Sequence, residues 1–553
     1  MCYNARVNIL RSLVCCLAAA LLTGCGDGRS SAERAAEQGI LLYGNNQEPQ
    51  SLDPHKATAV ADGKVIAAIL EGLVRPDAED ESLIHPGMAE SWEHNDAADE
   101  WVFHLGAYTW SDGTPVTAQD FVYAYHRLLH PDFGGKYAEM LYPLRGAEAY
   151  NKGASSWEDV GVQAPDDRTL KLTLNGPTPH LLPLLLHFTW SPLPAHHVEA
   201  MGGMLDRRSL WTKPEHWVGN GAYVLAEHRF NDFLEVRANP RYHRAAEVRN
   251  RGIRFLPIVN GYTETRMFLG GKLHISNNVP PELMSMAKQR APKEFRQDAY
   301  YCTIFYRLNT KRPPLNDERV RRALTLAIDR DTLVQRVVRG AGKPTFGFTP
   351  PGAGYEGVLS ADAALSQQER ETEARRLLAE AGYAGGKGFP NVEIMTTSRD
   401  VQKVMAETIQ SMWERVLGVH AEIRACEWTA YKAAQQNGDY DISSSSWSGD
   451  YLDPATFVEL WRSGGGNNCT GWGDAACDAA LAEAQRATTP EARRAALLRA
   501  ESTMLGAQPI IPLYHSERAY LQSPVVSGFY PLLLDNHPLD AVSVQPEPAP
   551  EKR

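Results

Sequence analysis

Residues 391–425 constrain the fold more than any other stretch of the chain. Val392 and Ile394 open a segment of period two, then Val401, Val404, Met405, Ile409, Met412 and Val416 recur at helical spacing. Gly418 stops that helix, and Val419, Ala421, Ile423 and Ala425 alternate again. A strand–helix–strand run of this length is a crossover between parallel strands, expected to be right-handed. It cannot bury both faces alone, so it needs a larger sheet and covering helices, and the fold class is α/β. Trp101, Phe103 and Leu105, and likewise Leu170, Leu172 and Leu174, read as half-buried strands. Asn316-Asp317 opens a helix carrying Val320, Ala323, Leu324, Ala327 and Ile328; a second carries Leu333, Val334, Val337 and Val338 and stops at Gly340. With 553 residues, the chain exceeds what one hydrophobic core serves, so several domains are expected.

The N-terminus sets the compartment. Arg6 and Arg11 precede an apolar run, Leu13 to Leu22, too short to span a bilayer, and Leu22-Thr23-Gly24-Cys25 follows. This resembles a bacterial lipobox: residues 1–24 are expected to leave as a signal peptide, Cys25 to carry lipid, and residues 25–40 to form anchor and spacer. Cys302, Cys426, Cys469 and Cys477 then lie in an oxidising compartment, where Cys469 and Cys477 are the favoured pair. No cysteine or histidine spacing fits a metal site; His196-His197, the only doublet, points its rings apart.

The net charge of −11 argues against nucleic acid as a partner, because phosphate binding needs a basic field. A phosphate loop, an H-E-x-x-H helix and a G-x-S-x-G elbow are all missing, which disfavours an enzyme and implies no cofactor. Three other segments combine aromatic and acidic residues: 44–55, 110–122 and 440–454. In the third, a strand runs into Trp447-Ser448-Gly449-Asp450-Tyr451. Asp450 between aromatic faces suits a cationic amine, while the residues equally permit a core Trp447 and an Asp450 that caps the turn before Asp453-Pro454.

Together these segments resemble the extracytoplasmic solute-binding proteins of peptide ABC transporters, of the oligopeptide-binding type. The likeness extends, in order, through Leu70-Glu71-Gly72-Leu73, Pro86-Gly87-Met88-Ala89-Glu90-Ser91-Trp92, Asn220-Gly221-Ala222-Tyr223, Arg319 to Leu324, Phe348-Thr349-Pro350-Pro351, Ala379 to Tyr383 and Pro509 to Tyr514. It implies a two-lobed periplasmic-binding-protein fold with an extra third domain: a discontinuous first lobe at 41–70, 198–301 and 518–553, the extra domain at 71–197, and a second lobe at 302–517. The lobes are expected to close on a hinge over an extended peptide whose main chain pairs with the protein's.

The same resemblance implies the site. Asp450 matches the acid that receives the peptide's α-amino group, and Trp447 and Trp428 match pocket walls. Tyr137 reaches in from the extra domain, Asn277 and Asn278 from the first lobe, and Tyr300 lies near the crossing. Thr58 to Val60 line the cleft by backbone. Two departures stand out. Cys302 matches half of a disulfide found in some relatives, but the partner position reads Ser448. Relatives that clamp a peptide carboxylate carry basic residues at positions matching Gln402, Gln435 and Ser444, none basic here; Arg339 and Arg399 are substitute candidates. The expected function is capture of oligopeptides by a lipid-anchored, periplasmic monomer for an ABC permease. The alternatives are the same fold binding dipeptides, murein peptides, a metal chelate or haem, and, from another class, an exported hydrolase.

Overall fold

The computed structural model describes residues 29–398, 400–487 and 489–546. Cys25, the signal-like segment and Arg399 lie outside them. Among the described residues no helix is long and apolar enough to cross a membrane.

Three main sheets organise the chain. The first has the strand order Ile40–Gly44, Gly252–Leu256, Phe233–Ala238, Tyr223–Arg229; its first pair is parallel, with Ile40 opposite Gly252, and the rest antiparallel. The second is antiparallel throughout, in the order Ala89–His94, Glu100–Leu105, Thr169–Thr173, Val162–Asp166. Trp101, Phe103 and Leu105 bury alternate positions there, against the helix Ala118–Leu129 with its buried Phe121, Tyr125 and Leu128. These two sheets share one continuous hydrophobic core, so the second sheet is packed firmly beside the first.

The third sheet runs Gly342–Pro344, Ile510–Leu521, Phe295–Leu308, Ile442–Ser448, Val392–Thr397, Ala421–Cys426. The crossover reads as its sequence does: Val392–Thr397 and Ala421–Cys426 are parallel neighbours joined by the 18-residue helix Asp400–Leu417. Met405, Ile409, Met412 and Val416 face the core, but Val404 is 47% exposed, because the buried stripe is narrower than the apolar one. Asp317 caps the helix Glu318–Leu326 by accepting the Arg319 N–H.

Two long neighbouring strands, Phe295–Leu308 and Ile510–Leu521, tie the halves together. Their 295–299 and 517–521 ends pair beside one hydrophobic cluster, which holds Ala519 and Leu521. Their 303–307 and 510–515 ends pair beside others, which hold Phe305, Tyr306 and Leu513. The register slips between Ala299 and Thr303. Such an irregularity bends the ladder where it passes from one half of the molecule to the other.

The favoured Cys469–Cys477 pair does not form: all four described cysteines are free. Cys477 is fully buried on the helix Ala475–Arg486, with Sγ turned to the Ala500 carbonyl at 3.6 Å, whereas Cys469 sits in the loop. Helix packing aims the first thiol away from the second. Cys302 lies directly opposite Ser448 in the ladder, and burial pushes its thiol up to about 11, so it is an inert buried thiol.

Candidate ligand-binding cleft

Local structure prepares one wall of the cleft. The helix Val60–Ile69 starts where Asp62 accepts the N–H groups of Gln50, Thr58 and Ala59 at 2.7, 3.3 and 3.2 Å. That start leaves Val60 64% exposed and places Lys64 one turn further on. The approach to it is held by the buried Arg127, which grips Asp53 through two bonds of 2.9 and 2.6 Å. The 44–55 segment is therefore framework. The 110–122 segment is a helix start, in which Asp120 accepts from the Thr117 N–H at 2.9 Å and the Trp110 indole at 3.3 Å.

The opposite wall is the end of the strand Ile442–Ser448. Gly449 donates to the Tyr301 carbonyl at 2.9 Å, and a Cβ there would come within 2.4 Å of the Tyr301 ring, so the turn tolerates only glycine. The cap before the helix Ala455–Val458 is Asp453, which accepts the Ala455 N–H at 2.8 Å and takes Arg493 in two bonds of 2.7 Å. Asp450 has no such duty. Its N–H bonds the Thr456 hydroxyl at 3.2 Å, and among the described residues its carboxylate has no ion pair and no hydrogen-bond partner.

Between these walls lies a cavity of about 190 Å³ that brings together Val60, Tyr137, Tyr300 and Asp450. Tyr451, which the sequence sets beside Asp450, shares its lining, as do Lys64, His187 and Asp535, which the sequence reading missed. Only the i, i+4 spacing of Lys64 from Val60 hinted at any of them. Burial, and secondly the Glu139 carboxylate nearby, push the Asp450 carboxyl up to about 6. Burial and then Asp450 push Tyr137 up to about 12, and burial holds His187 down at about 4. Burial would raise Asp535, but Arg518 and Lys64 outweigh it and hold that carboxyl far below the usual range. Lys64 Nζ lies 3.1 Å from Asp535 and donates to Asn277 Oδ1 at 2.9 Å.

The remaining expected residues lie outside this cavity. Asn277 and Asn278 donate their N–H groups to Glu264, and Asn277, so held, stands behind Lys64 and positions it. Trp447 is half-buried against the cluster of Tyr301, Phe305 and Phe457. Trp428 is 59% exposed at the start of the helix Trp428–Asn437, stacked on Tyr431 at 5.8 Å. Gln435 and Ser444 are buried and satisfied, bonding Ser443 Oγ and Thr396 Oγ1, and Arg339 is exposed on a turn.

A two-halved α/β molecule joined by paired crossing strands, with an uncompensated acid in the cleft between the halves, is a solute-binding receptor. Comparison with known proteins agrees. Residues 84–469 match the model of the bacterial extracellular solute-binding proteins, family 5, middle region. The chain is 34% identical over 499 residues to the periplasmic oligopeptide-binding protein OppA of Escherichia coli, covering 89% of this chain and 90% of that one. It is also 34% identical over 509 residues to the periplasmic murein peptide-binding protein MppA of the same organism, covering 91% of each. The structure of Haemophilus influenzae OppA in complex with RPPGFSPFR superposes with a TM-score of 0.77 at 31% identity, over 92% of this chain and 99% of that one. The chain belongs to family 5 of the bacterial extracellular solute-binding proteins, and it is a binding protein, not an enzyme.

Proposed function

We propose that this chain captures oligopeptides in the periplasm, in the cleft between its lobes, and hands them to an ABC permease. The observation that carries the reading is Asp450: a carboxylate in the cleft, near the aromatic Tyr137 and Tyr451, with no cation of its own. A buried acid costs free energy unless paired, so the site favours a ligand that brings an ammonium group. Names of the relatives, oligopeptide- and murein peptide-binding, point to a peptide α-amino group as that cation. Closure bends the crossing strands near 299–303 and 515–517, with lobe boundaries near 301 and 517. Cys25, as the lipidated first residue, keeps the receptor at the membrane surface.

The test is native mass spectrometry of the protein purified from its periplasm, with sequencing of released ligands. Mixed peptides with free N-termini are expected. Lack of both co-purifying peptide and thermal shift with a tri- to pentapeptide library rejects the reading. For the anchor, radiolabelled palmitate will enter the full chain and not its Cys25→Ser variant.

A further inference from the structure

One half-buried acid beside the cleft awaits no ligand. Glu81 sits on the turn between the paired strands Val74–Pro76 and Ile84–Pro86. That turn is braced by its own side chains. Asp77 accepts the Glu79 and Asp80 N–H groups at 2.8 and 3.1 Å, and Asp80 accepts the Ser82 N–H at 2.9 Å. So presented, Glu81 reaches a segment near the far end of the chain. Its Oε1 accepts the Leu534 N–H at 2.9 Å, and its Oε2 accepts the Leu533 N–H. Among the described residues no cation pairs with it. Burial outweighs the two N–H bonds and, with the Asp535 and Asp80 charges adding to it, pushes the carboxyl up to about 7. The Asp450 oxygens accept nothing from the chain, whereas both Glu81 oxygens are taken. Glu81 therefore holds backbone.

The segment it holds joins the two halves of the molecule. Leu534, Asp535 and Asn536 line the cleft cavity. The side chains of Leu533 and Leu534 pack on the cluster of Tyr301, Phe305, Phe348 and Phe457, beside the third sheet, and the Leu533 carbonyl accepts the Tyr301 N–H at 2.8 Å. Val74, on the strand that leads to Glu81, lies instead in the core shared by the first two sheets. Glu81 thus grips, from one half, a loop whose leucines are rooted in the other. Tyr301 also lies inside the register slip where the crossing strand bends, so the loop is pulled when the halves move. The loop is strained as well. Asp535 has a φ of 57°, in the left-handed region, which a residue other than glycine keeps only while its surroundings hold it there. Cations hold the Asp535 side chain, and Glu81 holds the backbone just before it. We propose that Glu81 is a positioning residue: a clasp that fixes the 533–536 loop across the two halves and so gives the peptide cleft its shape. The inference rests on the peptide reading above.

The experiment pairs calorimetric titration of the purified full chain, freed of co-purified ligand, with hydrogen exchange read by mass spectrometry over residues 529–536. Tetraalanine is the probe, in its free, N-acetylated and C-terminally amidated forms. In Glu81→Ala the affinity is expected to fall about tenfold for all three forms. Exchange at the Leu533 and Leu534 amides is expected to quicken at least about tenfold, while the strand Ile40–Gly44 exchanges as in the parent. Glu81→Gln keeps one acceptor oxygen and is expected to bring affinity back to within about threefold of the parent. Unchanged affinity in Glu81→Ala overturns the proposal, as does unchanged exchange in the loop. A loss confined to peptides with a free N-terminus also overturns it, because Glu81 would then act through Asp450. Should Glu81→Ala not fold, Glu81→Gln decides: it loses one of the two bonds, and exchange as slow as the parent's overturns the clasp. If the parent binds peptide and the variant loses nothing, only this inference falls. If the parent binds none of the three forms, the peptide reading falls with it.

Discussion

On one wall of the cleft, Asp535 is held by Lys64 at 3.1 Å, by Arg518 and by His537 at 2.7 Å, and Lys64 and Arg518 both bond Asn277. On the opposite wall, among the described residues, the Asp450 carboxylate has no counter-ion. Both walls bury charge, but only the first has settled its charges internally. The difference separates scaffold from receptor. A network whose members satisfy one another gains nothing from a ligand, whereas an isolated carboxylate is completed by a molecule that brings a cation.

The largest effect comes from breaking the settled wall. Asp535→Ala strands Lys64 and Arg518 in a buried site, and the expected loss of stability is about 3–5 kcal/mol, read by chemical denaturation at pH 7. The opposite wall responds in the opposite direction. The folded-state pKa of Asp450 is raised to about 6. Its ionised form therefore penalises the folded protein, and the penalty grows as pH rises through that value. Asp450→Asn removes it: the unliganded variant is expected to gain about 1–3 kcal/mol at pH 7 while losing about 100-fold in affinity for a peptide with a free N-terminus. A variant that loses stability instead would place Asp450 among the framework acids.

That contrast also shows what the sequence disclosed. The crossover 391–425 was legible because its periods change from two to 3.6 and back, and periodicity depends on neighbours along the chain alone. The 44–55 and 110–122 segments looked as ligand-like as 440–454. What separates them is long-range: Arg127 reaches Asp53, and Thr117, Trp110 and Ala195 converge on Asp120, while among the described residues nothing bonds the Asp450 carboxylate. Whether a charge is compensated depends on residues far away in sequence, so Lys64 and Asp535 stayed hidden. The cysteine pair failed for the same reason. Spacing allowed Cys469 to meet Cys477, but the packing of two helices turned Cys477 inward.

A smaller effect sharpens the comparison through pH. With Asp450 titrating at about 6, about nine in ten unliganded molecules carry it protonated at pH 5, and few do at pH 7. The ligand's α-amino group stays charged until about pH 8. Affinity for an N-terminally free peptide is thus expected to rise about tenfold from pH 5 to pH 7, with the rise missing for the N-acetylated peptide and in Asp450→Asn. Asp535, held far below this range by its cations, adds nothing to that slope.

The smallest effect isolates closure from charge. His180, just before the helix Leu181–Leu184, stacks on Tyr451 of the Asp450 wall, rings 15° apart and centroids 5.7 Å, and its Nδ1 lies 3.1 Å from Arg493. Arg493 already has both of its strong bonds to Asp453, so the histidine is an addition to a settled pair and not a member of it. Burial lowers its pKa, so it bridges the walls as a neutral ring. His180→Ala is expected to cost about 0.5–1 kcal/mol of binding, about two- to fivefold in affinity. Because the contact touches neither ligand terminus, the loss falls equally on free, N-acetylated and C-terminally amidated peptides. A loss confined to peptides with a free N-terminus would mean that His180 acts through Asp450, and the two walls would then be coupled in charge as well as in shape.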